Sequence, residues 1–198
     1  MARLPRPVSF YEKNAAAYFR STAGIDPSVF LKPLAGRLEP GSRILDIGCG
    51  SGRDLRWLKE RGYRVKGLEA SPSLASLARN HAGCEVLVAD FLSHDFSREE
   101  ADALLLIGAL VHLDKKRAGS ALKRMLQVLS GPKYVLVSLK EGEGVLETAD
   151  GRMFTLWSDA EARDVLGSLS LMVIEAFRQP SPVRAGDVWL SYLLQGTS

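Results

Sequence analysis

Cysteine and histidine are scarce in this chain of 198 residues, which holds two cysteines and three histidines. Cys49 and Cys84 match neither the spacing of zinc ligands nor a disulfide framework, which excludes the small disulfide-stapled proteins and favours the cytoplasm. No set of carboxylates or histidines has the spacing of a metal site, so we expect no metal.

Long apolar runs and an excess of charge of one sign are also lacking. The most apolar stretch, residues 103–111, is far shorter than the roughly 20 residues that cross a bilayer, so we expect no membrane partner. The opening residues contain Arg3 and Arg6 and no apolar core of a signal peptide. The net charge of +3 is spread along the chain and is too small to indicate nucleic-acid binding by itself.

Short apolar runs alternate with helical patterns from residue 42 onward. The runs at 43–47, 63–69, 86–89, 102–107 and 134–139 predict strands, with helices between them. Such alternation is typical of an α/β fold, in which helices cover both faces of a mostly parallel sheet.

Both ends of the chain have features of their own. A helix is predicted over 8–22 with Ser9 as its cap, and residues 1–41 are too short for a core of their own, which makes them an appendage of one domain. Near the other end, 171–177 and 188–194 predict an antiparallel hairpin with a long loop. Between these ends, Asp114, Ser71 and the pair Ser158 and Glu161 are predicted helix caps, and Gly131 with Pro132 is expected to end a helix.

The strongest signal is Asp46-Ile47-Gly48-Cys49-Gly50-Ser51-Gly52, where a strand enters a glycine turn and then a helix. In a doubly wound sheet this turn lies at the carboxyl edge, where ligands bind. The dinucleotide pattern G-x-G-x-x-G requires glycine at position 53, which is Arg53 here. A nicotinamide-dependent oxidoreductase is therefore the weakest alternative.

In these residues the chain resembles the class I S-adenosylmethionine (SAM) dependent methyltransferases, whose first motif looks like residues 46–52. Glu69 ends the second strand, where the family's acidic residue binds both ribose hydroxyls. Asp90 follows the third strand, where the family contacts adenine, and Ile107 ends the fourth, beside the sulfonium. The resemblance covers Arg43 to about Leu194 and implies a Rossmann-like doubly wound seven-stranded sheet, mostly parallel with an antiparallel last strand.

A narrower resemblance lies in Ser51-Gly52-Arg53-Asp54, which is similar to small bacterial methyltransferases of the tellurite-resistance and thiopurine type. Members with an opening helix like residues 10–18 fold it over the cofactor. The resemblance therefore implies one domain, 1–198, with an N-terminal helical lid at 1–41 and a SAM-binding α/β core at 42–198. Tyr11 and Tyr18 would line or cover the site, although core packing explains their spacing equally well.

The expected site residues follow from this resemblance. The predicted cofactor contacts are Tyr18, Asp46, Gly48, Cys49, Gly50, Gly52, Asp54, Glu69, Ala70, Asp90, Phe91 and Ile107. The predicted substrate contacts are Tyr11, Lys140 and Trp157. His112 is the predicted catalytic residue, since it is the one histidine near the fourth motif, with a structural role as the alternative. Phe154 and Trp189 either wall an apolar pocket or pack in the core.

The resemblance implies an enzyme that moves a methyl group from SAM to an unidentified small-molecule acceptor by in-line displacement, leaving S-adenosylhomocysteine. Two alternatives remain open. One is a protein that binds SAM without transferring its methyl group. The other is a methyltransferase that acts on transfer RNA, because the opening helix also looks like that of wobble-uridine modifying enzymes. The sequence does not indicate the oligomeric state.

Overall fold

The computed structural model describes residues 7–169 and 171–196, without the side chains of residue 7 and residues 131–133. Residues 1–6, with Arg3 and Arg6, lie outside this part of the chain. The strands are β1 Arg43–Ile47, β2 Arg64–Glu69, β3 Glu85–Val88, β4 Ala101–Ile107, β5 Leu129–Lys140, β6 Val145–Glu147, β7 Met153–Thr155, β8 Leu171–Pro180 and β9 Val188–Gly196.

Seven of these strands form one sheet in the order β3-β2-β1-β4-β5-β9-β8. Strands β1 to β5 pair in parallel, whereas β9 is antiparallel to both β5 and β8. The mostly parallel sheet with an antiparallel last strand is therefore confirmed. Parallel strands place all their carboxyl ends at one edge of the sheet, so the loops that follow β1, β2, β3, β4 and β5 meet there.

Helices cover both faces of the sheet, as predicted. They are α1 Pro7–Lys13, α2 Ala15–Thr22, α3 Ser28–Ala35, α4 Arg53–Lys59, α5 Pro72–Ala82, α6 Lys115–Met125 and α7 Asp159–Gly167. Successive residues of β4 point to opposite faces: Leu104 packs in the core that contains α6 and α7, and Leu105 packs in the core that contains α3 and part of α4. Nowhere in residues 7–169 and 171–196 is a helix long and apolar enough to cross a membrane.

Side-chain caps fix where three of the helices begin, as the sequence predicts. The Ser71 hydroxyl accepts a hydrogen bond from the Leu74 amide at the start of α5. Asp114 caps α6 in the same way, and Ser158 with Glu161 forms a complete capping box at α7. Each cap satisfies amides that have no partner inside the helix, and is worth about 1 kcal/mol.

Three elements differ from the prediction. The single helix expected over 8–22 is two helices that break at Asn14, and the first begins by Pro7, so Ser9 is not its cap. Helix α6 gives way to a 3₁₀ turn at Leu126–Val128. Gly131 and Pro132 therefore end no helix but lie inside β5. The pairing of β5 with β4 is irregular at this point, and such an irregularity tolerates proline, which has no amide hydrogen to donate. The short hairpin of β6 and β7 was not predicted.

Candidate functional site

The glycine turn after β1 forms the floor of the site. Gly48, Gly50 and Gly52 have φ angles of +70°, +56° and +74°, which residues other than glycine rarely adopt. A Cβ on Gly50 would lie 3.3 Å from the ring of Tyr18, so the turn and α2 are in close contact. A Cβ on Gly52 would lie 2.8 Å from the Ala78 carbonyl oxygen, so this third glycine serves the packing of the turn against α5.

The Glu69 carboxylate lies at the end of β2 beside this turn. One of its oxygens accepts a hydrogen bond from the Gly50 amide at 3.1 Å, and the other accepts one from the Ser71 amide at 2.9 Å. Burial raises the pKa of Glu69, and these hydrogen bonds oppose that rise. The carboxylate is thus held rigidly, with further lone pairs left on both oxygens for a ligand.

A cavity of about 400 Å³, the first cavity, opens above Glu69 at the carboxyl ends of β1 to β4. It brings together eight of the twelve predicted cofactor contacts: Tyr18, Gly48, Gly50, Glu69, Ala70, Asp90, Phe91 and Ile107. The Asp90 carboxylate caps the loop after β3 by accepting a hydrogen bond from the Leu92 amide at 2.9 Å. These residues are far apart in the chain and meet because parallel strands end at one edge.

Helix α1 covers this cavity. The Glu12 carboxylate accepts hydrogen bonds from the Ser71 hydroxyl at 2.6 Å and the Ser73 amide at 3.0 Å, at the positive end of α5. The Tyr11 ring lies edge-on to Tyr18, 5.0 Å between centroids. Tyr11 and Tyr18 therefore line this cavity as well as packing against each other, and their role as a lid over a ligand stays a prediction.

His112 lines the first cavity beneath α1. Its Nδ1 lies 3.1 Å from the Met153 carbonyl oxygen and its Nε2 lies 3.0 Å from the Tyr11 hydroxyl. A carbonyl only accepts, so Nδ1 carries the proton and Nε2 accepts from Tyr11. Burial lowers the pKa of His112 to about 4, which keeps the ring neutral at pH 7. Because both nitrogens are engaged, this geometry favours a role in positioning Tyr11 over the predicted catalytic role.

A second cavity of about 200 Å³ shares Tyr11, Tyr18 and the glycine turn with the first. At its near end lie three further predicted cofactor contacts: Asp46, Cys49 and Asp54. One oxygen of Asp46, Oδ2, is buried without a hydrogen-bond partner among the described residues. Burial, and next the charge of Asp54, raise the pKa of Asp46 well above its usual range. Asp54 itself is paired with Arg53 at 2.7 Å.

The far end of the second cavity lies at the end of β5. Lys140, predicted to contact substrate, lies there with its side chain only 4% exposed and paired with Asp187. Its ammonium nitrogen is 5.4 Å from the ring centroid of Phe154 and 5.5 Å from that of Trp189. Arg152 also lines this end, paired with Asp150, which lies outside the lining, at 2.7 Å.

Two predicted contacts do not reach either cavity. Gly52 packs against α5, as described above, and Trp157 is 1% exposed in the main core beyond the end of β5. Trp189 occupies the place expected of Trp157, because the antiparallel register sets Trp189 opposite Lys140. Trp157 therefore reaches neither cavity, and Trp189, which the sequence allows as a pocket wall or as core, lines the second cavity.

Several polar residues at the far end of the second cavity are not predicted from the sequence. Arg152 precedes β7, and Gln179, Arg184 and Asp187 lie at the end of β8 or in the loop before β9. No periodicity or motif marks them, because a hairpin and a loop bring them to the site. Within residues 7–169 and 171–196 no group of three or more His, Cys, Asp or Glu side chains could hold a metal ion.

Comparisons with known proteins find relatives in sequence and in fold. Residues 44–131 match the family model of the methyltransferase domain. The chain is 38% identical over 126 residues to the probable tRNA methyltransferase 9B of Mus musculus, an alignment that covers 62% of this chain and 26% of that protein. The chain thus spans about a quarter of the length of this relative.

Solved structures share the fold along nearly the whole chain. The 1,6-didemethyltoxoflavin-N1-methyltransferase of Burkholderia thailandensis, solved with S-adenosylhomocysteine, has a TM-score of 0.77 at 19% identity and covers 100% of this chain and 92% of its own. A TehB-like SAM-dependent methyltransferase of Corynebacterium glutamicum has a TM-score of 0.67 at 20% identity, covering 94% and 98%. At these identities the likeness shows a common fold.

Proposed function

We propose that this chain, which belongs to the class I S-adenosylmethionine-dependent methyltransferases, transfers the methyl group of SAM to a small-molecule acceptor held at the far end of the second cavity. The observation that carries the proposal is the Glu69 carboxylate, fixed between the Gly50 and Ser71 amides at the floor of the first cavity. A rigid, buried carboxylate with lone pairs to spare is suited to a ribose diol.

The residues present fit the cofactor at its other end as well. Asp46 Oδ2 is buried with no partner in the described part of the chain, and a bare buried carboxylate oxygen is costly unless a ligand pairs with it. The ammonium of the methionine part would supply that partner. Gly48 and Gly50 let the backbone of the turn approach the ligand closely, because neither carries a side chain.

When bound, SAM supplies an electrophilic methyl group on a positively charged sulfur. The chain's own part is to hold the acceptor in line with that group, and such positioning is worth about 7–11 kcal/mol. Tyr11, Tyr18 and Gly108 line both cavities and so stand between the two ligands. Helix α1 is held beside the first cavity by the Tyr11 and Glu12 contacts.

We also propose that residues 1–41 act as a lid on a single domain of residues 1–198. Support comes from the way Glu12 fastens α1 to the start of α5, across the mouth of the first cavity. Opening of this lid would move α1 and break its hydrogen bonds to the start of α5, while α3, which packs in the core that contains Leu105, stays in place.

The test is an equilibrium titration of the purified protein with SAM, with S-adenosylhomocysteine and with NAD. We expect saturable binding of the first two and none of NAD. A well-folded sample that binds neither SAM nor S-adenosylhomocysteine would refute the proposal. Binding without methyl transfer to any acceptor would instead support the alternative of a protein that only senses SAM.

Transfer RNA is the second candidate acceptor, since the mouse relative is named as a probable tRNA methyltransferase. An RNA acceptor requires contacts to phosphates, so its affinity would fall steeply with salt in proportion to the phosphates contacted. The small net charge of +3 favours the first candidate. Measuring tRNA binding at two salt concentrations separates them.

A further inference from the structure

The far end of the second cavity has an excess of positive charge. Lys140, Arg152 and Arg184 line it, against the single lining carboxylate of Asp187. Lys140 is paired with Asp187, and Arg152 with Asp150. Arg184 therefore has no ion pair in the described part of the chain, and its positive charge is available to pair with an anionic ligand.

The same end offers flat apolar walls and free donors. The Lys140 ammonium lies between the rings of Phe154 and Trp189. An ammonium has three hydrogens to donate, and the one carboxylate that pairs with it in residues 7–169 and 171–196 is Asp187. A ligand that carries a negative charge on a flat apolar body therefore suits this pocket.

Among the described residues that line the far end of the second cavity, no side chain is a free base for the acceptor atom. Both nitrogens of His112 are engaged, and burial raises the pKa of Tyr11, which keeps its hydroxyl protonated at neutral pH. Asp187 is held by Lys140. An acceptor must therefore arrive already deprotonated. A thiol, with an ordinary pKa of about 8.5, is mostly protonated at pH 7, and a phosphate monoester carries about −1.5 to −2 charges, more than the single positive charge available.

We propose that the methyl acceptor is the carboxylate of a small molecule with a flat apolar body, bound among Lys140, Arg152 and Arg184 with its body against Trp189. This inference rests on the proposed function. A carboxylate oxygen donates a lone pair to the methyl carbon, a C–O bond forms, and the C–S bond breaks with its electron pair going to sulfur. The products are a methyl ester and S-adenosylhomocysteine, and no proton is released.

The test uses the full chain with SAM labelled in its methyl group. Benzoate, phenylacetate and indole-3-acetate are offered, each beside its primary amide, together with the low-molecular-weight fraction of a bacterial extract. Methyl esters release methanol in mild alkali, so the label transferred to a carboxylate becomes volatile. We expect alkali-volatile label from the acids or the extract, and none from the amides.

Matched variants test the residues. Lys140→Met and Arg184→Gln should each lower kcat/KM for the carboxylate about 10-fold to 100-fold, since each removes a charged hydrogen-bond donor. The affinity for S-adenosylhomocysteine should stay within about twofold, which corresponds to about 0.4 kcal/mol, because neither side chain lines the first cavity. Arg184 is exposed, so its variant remains informative if Lys140→Met fails to fold. Lys123→Met, at an exposed position of α6, is the control with unchanged activity.

Several outcomes would overturn the inference. Alkali-stable label would mean that nitrogen, sulfur or a hydroxyl is methylated. Label found only in an RNA fraction would exclude a small acceptor, and unchanged kcat/KM in both variants would remove the cationic end from acceptor binding. Tight S-adenosylhomocysteine binding with no label from any probe also refutes this inference alone. Absence of that binding would refute the proposed function itself.

Discussion

Acidification should destabilise this protein through His112. The ring is partly buried and neutral, with Nδ1 bonded to the Met153 carbonyl, and this burial lowers its pKa from an ordinary 6.5 to about 4. Below pH 6.5 the unfolded chain takes up a proton that the folded protein does not accept until about pH 4. The stability that His112 contributes is therefore fully present above pH 6.5 and is lost as the pH falls through this window.

The size of the effect follows from the difference between the two pKa values. Each unit corresponds to about 1.36 kcal/mol, so the complete loss is about 3 kcal/mol, of which about 2 kcal/mol falls between pH 7 and pH 5. Such a loss is a large share of the roughly 5–15 kcal/mol that stabilises a typical domain.

Urea unfolding at pH 7 and pH 5 measures this loss. His112→Gln should be less stable than the unsubstituted protein at pH 7, yet should lose about 2 kcal/mol less on going to pH 5, because the titrating ring is gone. His81→Gln replaces a partly exposed histidine whose pKa burial also lowers, and it serves as the comparison: its pH dependence should change by less than that of His112→Gln. Equal losses in the unsubstituted protein and His112→Gln would refute the assignment of a buried neutral ring.

Three further predictions concern the glycine turn and its carboxylates. Glu69→Ala should weaken SAM binding by about 1–3 kcal/mol in an equilibrium titration, since it removes a charged acceptor, and unchanged affinity would remove Glu69 from the site. Pairing with the ligand ammonium should lower the raised pKa of Asp46. Calorimetry in two buffers should therefore show that SAM binding releases a proton and becomes tighter as the pH rises. Asp46→Asn should abolish this proton release, and a release that persists in the variant would contradict the pairing. Gly52→Ala should cost about 1–3 kcal/mol in thermal unfolding, because its Cβ would meet the Ala78 backbone at 2.8 Å, whereas Gly24→Ala, with nothing within 4 Å, should change stability little.

The sequence predicts the geometry around the glycine turn well because the signals there are local. Strand β1 was expected at the bounds where it occurs, and the turn after it has the positive φ angles that its glycines suggest. Glu69 and Asp90 end or follow strands of a parallel sheet, so the order of elements alone brings them to one edge.

The far half of the site depends on information that is not local. Trp157 and Trp189 are both aromatic residues of extended segments, and only the pairing of β9 with β5 sets Trp189 beside Lys140. A shift of one residue in that register would turn Trp189 to the other face. Arg152 and Asp187 reach the cavity from a hairpin and a loop, whose paths no periodic pattern encodes.

The division between the two halves of the site also runs along the chain. Most of the cofactor half lies in residues 46–117, whereas most of the far half is built from residues 138–189. Recombination in the later segment can therefore change the lining of the far half while the lining of the cofactor half stays the same. We expect that a chimera, in which residues 138–189 replace the matching segment of another protein of this fold, would acquire the acceptor preference of this chain.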